Sequence, residues 1–272
     1  MDSVNDWEPP AGFIEKSKAR LSARFEEEFK QGLADRQDLR PAREAHFNLV
    51  RNLGKGDQSL KALVKNLSDK STHCKKNPPG KPPALAAEAD IDQADAVQLA
   101  PHLTAGPPFS YDWTWKKVTD EATASVSADR LTGNMSFECW SADGGTAAAR
   151  AAVGNFFRPS STTTRMSVYA NPSTTYNYWS INFLAGSHSY AFVGLYIGEY
   201  RLDGSLVRVV LDQKRQQWYT DGGESSGTNS GLGVSATNIP VNSNNFYEVW
   251  VWTGGDVEGD GWSTFWGSGA GS

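Results

Sequence analysis

The chain has 272 residues, with 26 basic and 31 acidic side chains for a net charge of −5, and it carries ten tryptophans, nine tyrosines and 26 glycines. That length gives ample apolar surface for one large domain or two modest ones, so disulfide stapling is not needed, and the two cysteines, Cys74 and Cys139, are too few for a metal quartet. No apolar run approaches a membrane span, and the opening MDSVNDWEPPAGF lacks the basic-then-apolar layout of a secretory signal, so a cytoplasmic location is the default expectation, with signal-independent export left open.

Residues 1–12 read as a tail. From residue 13 to 72 the pattern is helical. Phe13, Leu21, Phe25, Phe29 and Leu33 recur by fours with charged residues between them, which is one stripe of an amphipathic helix over Phe13 to Leu39. Pro41 stands where a second helix would begin, and Ala45, Leu49, Val50 and Leu53 continue the spacing until Gly54-Lys-Gly56 stops it. A third run places Leu60, Leu63, Val64 and Leu67 on one side. Short helices bury little alone, so the stripe must rest on each other, on the rest of the chain, or on another copy. Basic residues outnumber acidic ones 15 to 9 between Glu15 and Lys76, while from Gly106 onward the balance is 10 to 15 the other way. Such a split marks either a basic partner-binding segment or solvated helix surface.

Residues 73–105 hold Asn77-Pro-Pro-Gly-Lys-Pro-Pro83 and an Ala and Asp rich passage, the composition of a semi-rigid linker, which puts a domain boundary near residue 106. From there to residue 272 lie nine of the ten tryptophans and every tyrosine. Hairpin signals occur at Leu131-Thr-Gly-Asn-Met135 and Arg201-Leu-Asp-Gly-Ser-Leu206. Strand-like runs fall at Met135 to Trp140, Val153 to Arg158, Arg165 to Ala170, Tyr176 to Phe183, Tyr190 to Leu202, Leu206 to Asp212, Phe246 to Trp252 and Trp262 to Trp266. With no helices between them, they predict a mainly β fold: an antiparallel β-sandwich or jelly roll preceded by a small helical region.

Two of these strands have two apolar faces. In Tyr190 to Tyr200 one face holds Val193, Leu195 and Ile197, and the other holds Tyr190, Phe192, Tyr196 and Tyr200 with glycines between. Phe246 to Trp252 likewise sends Val249 and Val251 one way and Trp250 and Trp252 the other. Branched aliphatics suit the contact with a facing sheet, which leaves the rings to be covered by something else or to serve as a platform. Trp179, Ile181 and Phe183 are expected to face the core, placing Tyr176 and Tyr178 on the outer side, while Tyr111, Trp113 and Trp115 read as ordinary core rings. The candidate ligand-binding set is therefore Tyr176, Tyr178, Tyr196, Tyr200, Trp250 and Trp252, and the competing reading is that the helices, a loop or a second subunit covers this face.

Asp256-Val-Glu-Gly-Asp-Gly261 places Asp256, Glu258 and Asp260 at alternate positions, a spacing that could converge on calcium. Gly267 stands where a calcium loop closes with a bidentate Glu, so a solvated hairpin tip competes with the cation site. His188 could pair with a serine and an acid, but no Gly-x-Ser-x-Gly elbow accompanies it, so no catalytic residue is assigned. The acidic β region does not suit nucleic acid.

The runs Pro107-Pro-Phe-Ser-Tyr-Asp-Trp-Thr-Trp115, Ala152-Val-Gly-Asn-Phe-Phe-Arg-Pro159, Val249-Trp-Val-Trp-Thr-Gly-Gly255 and Gly261 to Ser272 resemble a set of uncharacterised microbial proteins with an aromatic-rich β domain. No activity is attached to that set, so the resemblance implies no residue roles. It does imply one more apolar strand after the Gly-Ser-Gly run, and hence an unfinished sheet edge at this chain's end.

Three functions remain on the sequence alone. The first is a non-catalytic module that binds a glycan or other surface ligand, with no cofactor unless calcium. The second is an assembly protein that oligomerises through its helices and ring face. The third is a polysaccharide hydrolase using Glu248, Asp256, Glu258 or Asp260, or a membrane-binding protein.

Overall fold

The computed structural model describes residues 8–54, 57–59, 62, 107–119, 122–141, 145–170, 173–180, 188–220, 223–230, 233–259 and 261–268. The linker expected over 73–105 and the third helical run lie outside the described residues, as do Asp260, Ile181 and Phe183. Helix α1 runs from Phe13 to Gly54 and is followed by twelve strands among the described residues. They are β1 (Tyr111–Val118), β2 (Ala122–Asp129), β3 (Asn134–Ser141), β4 (Thr146–Phe157), β5 (Arg165–Ala170), β6 (Ser173–Ser180), β7 (His188–Arg201), β8 (Leu206–Thr220), β9 (Gly223–Ser230), β10 (Val234–Pro240), β11 (Asn245–Glu258) and β12 (Gly261–Ser268).

The N-terminal segment of the chain is one helix where the spacing suggests two. Pro41 lacks the N–H that would bond the carbonyl four residues back, yet α1 continues through it to Gly54. Its start follows the local chemistry. Gly12 adopts φ +73°, the Phe13 amide donates to the Pro10 carbonyl, and Glu15 puts a carboxylate in the first turn against the positive end of the helix.

The strands form an antiparallel sandwich. One five-stranded sheet has the order β1-β4-β11-β7-β8, the other β2-β3-β12-β6-β9, and β10-β5 makes a separate pair. Val193, Leu195 and Ile197 of β7 pack between the layers with Phe137 and Cys139 of β3, Val257 of β11, and Ala147 and Ala149 of β4. Val249 and Val251 join this core, as alternation predicts. Both hairpin signals are turns: β2 to β3 with Gly133 at φ +74°, and β7 to β8 with Gly204 at φ +84°.

β4 is longer than its sequence suggests. Thr146-Ala-Ala-Ala-Arg-Ala-Ala-Val has little β propensity, but it forms the strand between β1 and β11 because both of its faces are covered. Small residues there and on β7 let large rings cross the sheet. Tyr111 lies over Gly154, where an added Cβ would sit 2.4 Å from its ring, and Trp252 lies over Gly194, with 2.0 Å.

The face of β6 corrects one expectation. Tyr176 and Tyr178 do not look outward: they stack on Trp218, at ring-centre distances of 5.3 and 5.5 Å, and pack against the core between the sheets. Their phase is set by Trp218 of β8, which the bulge between Ala191 and Phe192 brings to that side.

Candidate functional site: a groove beside the helix

The outer face of the β1-β4-β11-β7-β8 sheet carries the rings, and the first half of α1 lies on it. Phe13, Ser17, Leu21, Phe25 and Phe29, each four residues apart, are buried against the sheet. Phe13 meets Phe156, Tyr200 and Phe246 edge-on at 4.8 to 5.5 Å. Phe25 stacks on Trp113 at 5.6 Å and meets Trp252 at 5.4 Å. Trp250 and Tyr200 are 0% exposed and Trp252 is 2% exposed. Three of the six residues read as a ligand platform are therefore sealed under the chain's own helix, and two more, Tyr176 and Tyr178, face the interior. Tyr196 is half-buried, its hydroxyl 3.2 Å from that of Tyr200. An uncovered row of indoles would cost too much exposed apolar area, and the helical stripe of the same chain removes it.

A polar knot holds the helix down. Glu248, fully buried on β11, accepts hydrogen bonds from Ser17 and from the Tyr200 hydroxyl (2.9 Å), with Arg20 at 3.9 Å. Burial pushes the Glu248 carboxyl above its usual range, against the lowering pull of those hydrogen bonds and of Arg20. Burial and the nearby Glu248 carboxylate raise both the Tyr200 and the Tyr111 hydroxyls. Around the rim, Arg24 pairs with Asp212 at 2.6 Å and Lys117 with Glu26 at 3.0 Å, so part of the charge split between the helical and β regions is used within the molecule.

Beside Phe25 and Phe29 the helix leaves part of the sheet uncovered, and a groove of about 740 Å³ opens between them. Its floor is Ala148 and Arg150 of β4, Asp256 of β11, and Tyr190 and Phe192 of β7, and its walls are Phe25 and Phe29 of α1 with Trp115 of β1. Register explains the grouping. Arg150 pairs with Trp115 on one side and Gly254 on the other, Gly254 pairs with Phe192, and Asp256 pairs with Tyr190. Arg150 is 5% exposed and Asp256 is 7% exposed. The guanidinium donates to both Asp256 oxygens at 3.0 and 2.8 Å and to the carbonyls of Ala149 and Gly255, each at 2.9 Å. Burial alone would lower the Arg150 pKa, but the Asp256 carboxylate outweighs it and raises the value, so this charge is permanent. Its Nε has no acceptor among the described residues, and its face lies 5.3 Å under the Phe25 ring.

The same face continues past the groove. His188 Nε2 is 3.4 Å from Glu258, and the His188 ring stacks with Tyr190 at 5.4 Å and with Tyr219 at 6.1 Å. Asp256 and Glu258 are thus buried strand residues and not a solvated tip. Arg150 pairs with Asp256, and His188 stands against Glu258. Among the described residues no group of three or more metal-ligating side chains gathers. No helix among them is long and apolar enough to cross a membrane.

No family model and no curated protein matches the chain. Among solved structures, the chain is similar to the enzymatically active domain of tailspike protein 4 of bacteriophage CBA120, with 12% identity, a TM-score of 0.28, 60% of this chain and 19% of that one covered. It is similar to TmCBM61, solved with β-1,4-galactotriose, at 12% identity and a TM-score of 0.26, covering 60% of this chain and 89% of that one. A structure of carbohydrate-binding modules from the β-sandwich superfamily follows at 13% identity and 0.24, with 58% and 56% covered. Likeness at this level assigns neither a family nor a ligand.

Sequence reading placed Tyr190 and Phe192 on the ring face but left Arg150 and Trp115 out of the site. A signal was present. Arg150 is the only charged residue of β4, and a cation in an otherwise apolar two-faced strand needs a buried acid.

Proposed function

We propose that the protein is a non-catalytic recognition module that binds a glycan in the groove between α1 and the β4-β11-β7 face. The observation that carries this reading is the pairing of half-open aromatic surfaces, Trp115, Tyr190 and Phe192, with a buried, fixed Arg150–Asp256 pair on one floor. Sugar rings present flat C–H faces and hydroxyl-rich edges. The first stack on aromatic surfaces, and the second hydrogen-bond to a planar guanidinium and its carboxylate without a net change of charge. Asp256 is held by the Arg150 guanidinium in a buried pair, which favours holding over proton transfer at that acid.

The test is isothermal titration and affinity electrophoresis against a panel of neutral polysaccharides. Trp115→Ala and Tyr190→Ala should each weaken binding about tenfold or more, as for central anchors of an interface. Tyr169→Ala, an exposed ring on β5 outside the groove, should leave it unchanged. Saturable binding that ignores Trp115 and Tyr190, or silence across the panel, overturns the proposal.

A further inference from the structure

The groove opens at one end onto a row of rings. Along the outer face of β7, Phe192, Tyr190 and His188 succeed one another, with Tyr190 5.1 Å from Phe192 and 5.4 Å from His188. Tyr219, at the end of β8, extends the row, its ring within 22° of parallel to His188 and 55% exposed. At the usual rise per strand residue, His188 to Phe192 alone spans about 13 Å, longer than one sugar ring. An aromatic ring this exposed, stacked on a histidine in place of folding into the core, is the kind of surface a second flat ligand unit takes.

The electrostatics restrict the ligand further. Along the groove and its extension cations and carboxylates are interleaved: Arg150 with Asp256, Arg24 with both Glu28 at 3.1 Å and Asp212 at 2.6 Å, and Glu258 beside the His188 ring. Lys214 caps the Phe192 ring at 4.8 Å, and Glu27 lines the opposite wall. A polyanion would meet about as many carboxylates as cations, with no net attraction to steer it.

Building on the glycan reading, we infer that the site takes an extended, neutral oligosaccharide laid along β7, with one subsite in the groove over Phe192 and Tyr190 and a second against Tyr219 and His188. The second subsite is an addition to the first. Its loss shortens the ligand that binds best without abolishing binding.

Titration with cello-, manno- and galacto-oligosaccharides from disaccharide to hexasaccharide tests this. In the wild type, affinity should rise about tenfold from the shortest to the longest member of the series that binds, the gain expected for one added anchoring ring. Tyr219→Ala, a change at an exposed position, should flatten that rise and leave disaccharide affinity unchanged. Equal affinity at all lengths in the wild type, or a rise that survives Tyr219→Ala, overturns the second subsite while the groove reading stands. Tighter binding of oligogalacturonate than of its neutral counterpart overturns the neutral specificity alone. Absence of binding to every sugar removes the groove reading and this inference with it.

Discussion

Removing the Asp256 carboxylate while keeping Arg150 should be among the most damaging single changes in the β4-β11 region. The guanidinium sits 95% enclosed, it cannot lose its proton, and two of its hydrogen bonds end on Asp256 at 2.8 and 3.0 Å. Asp256→Ala would leave a permanent cation almost wholly enclosed by protein without its carboxylate, and breaking one side of such a buried pair costs about 3–5 kcal/mol. Against a total stability of roughly 5–15 kcal/mol for a typical domain, the variant should stay folded but lose a large share of its midpoint. Replacing both partners, as in Arg150→Met with Asp256→Leu, removes the stranded charge and should recover most of that loss, because apolar residues of similar volume are often as stable as the pair or better. The double-mutant cycle in urea, followed by tryptophan emission, should therefore report a coupling of several kcal/mol with unchanged slopes. The stable double variant should nevertheless fail to bind glycan, which separates the pair's structural contribution from its functional one. A cost below about 1 kcal/mol for Asp256→Ala, the level of an exposed ion pair, would refute the claim that this pair is buried and fixed.

Two further outcomes follow from the covered half of the face. Glu248 has an ordinary value of 4.5 and is raised in the folded chain by burial, so the folded state holds its proton more tightly than the unfolded state. Its contribution to stability is fullest below 4.5 and declines as pH climbs through the folded value; thermal melts of wild type and Glu248→Gln should diverge in favour of Gln as pH rises, and a wild type that gains on Glu248→Gln over that window would contradict the assignment. Gly194→Ala should destabilise by about 1–3 kcal/mol despite the better strand propensity of alanine. Its Cβ would lie 2.0 Å from the Trp252 indole, which Phe25 holds in place from above. Unfolding in urea checks this, and a neutral or stabilising alanine would mean the indole is free to move aside.

Most of the β region was legible because its alternation is strict. Val193, Leu195 and Ile197 against Tyr196 and Tyr200 determine which side of β7 meets the other sheet, and the register to β11 carries the same division to Val249 and Trp250. The strands that escaped notice, β2, β9 and β10, are rich in Ser, Thr, Asn and Gly, whose small polar side chains also suit loops. Tyr176 and Tyr178 were misassigned because a run with apolar residues on both faces has no intrinsic inside, and their phase depends on Trp218, some forty positions away in the chain and beyond any local pattern. For the same reason the identity of the ring cover could not be read from β7 and β11 alone. It required matching the four-residue spacing from Phe13 to Phe29 with the face it fits.

That match explains why one continuous ring face has two different fates. The rows at Tyr200, Trp250 and Trp252 alternate with glycines on β7, so the surface is low enough for a helix to settle on it, and Ser17 and Arg20 meet Glu248 where the contact would otherwise bury an unpaired acid. At Arg150 the surface changes. The guanidinium already lies under Phe25, and Glu27, Glu28 and Gln31, which follow it on α1, are hydrophilic residues that gain nothing by being pressed onto Tyr190 and Phe192. Among the α1 residues with described side chains, Phe29 against Trp115 is the last of the stripe on that face, and beside it lies aromatic surface that is held in place yet reachable by a ligand. A ligand face packed in this way is shaped largely before binding, so affinity in the groove should be insensitive to changes on α1 at positions that do not line it and that leave Phe25 and Phe29 seated.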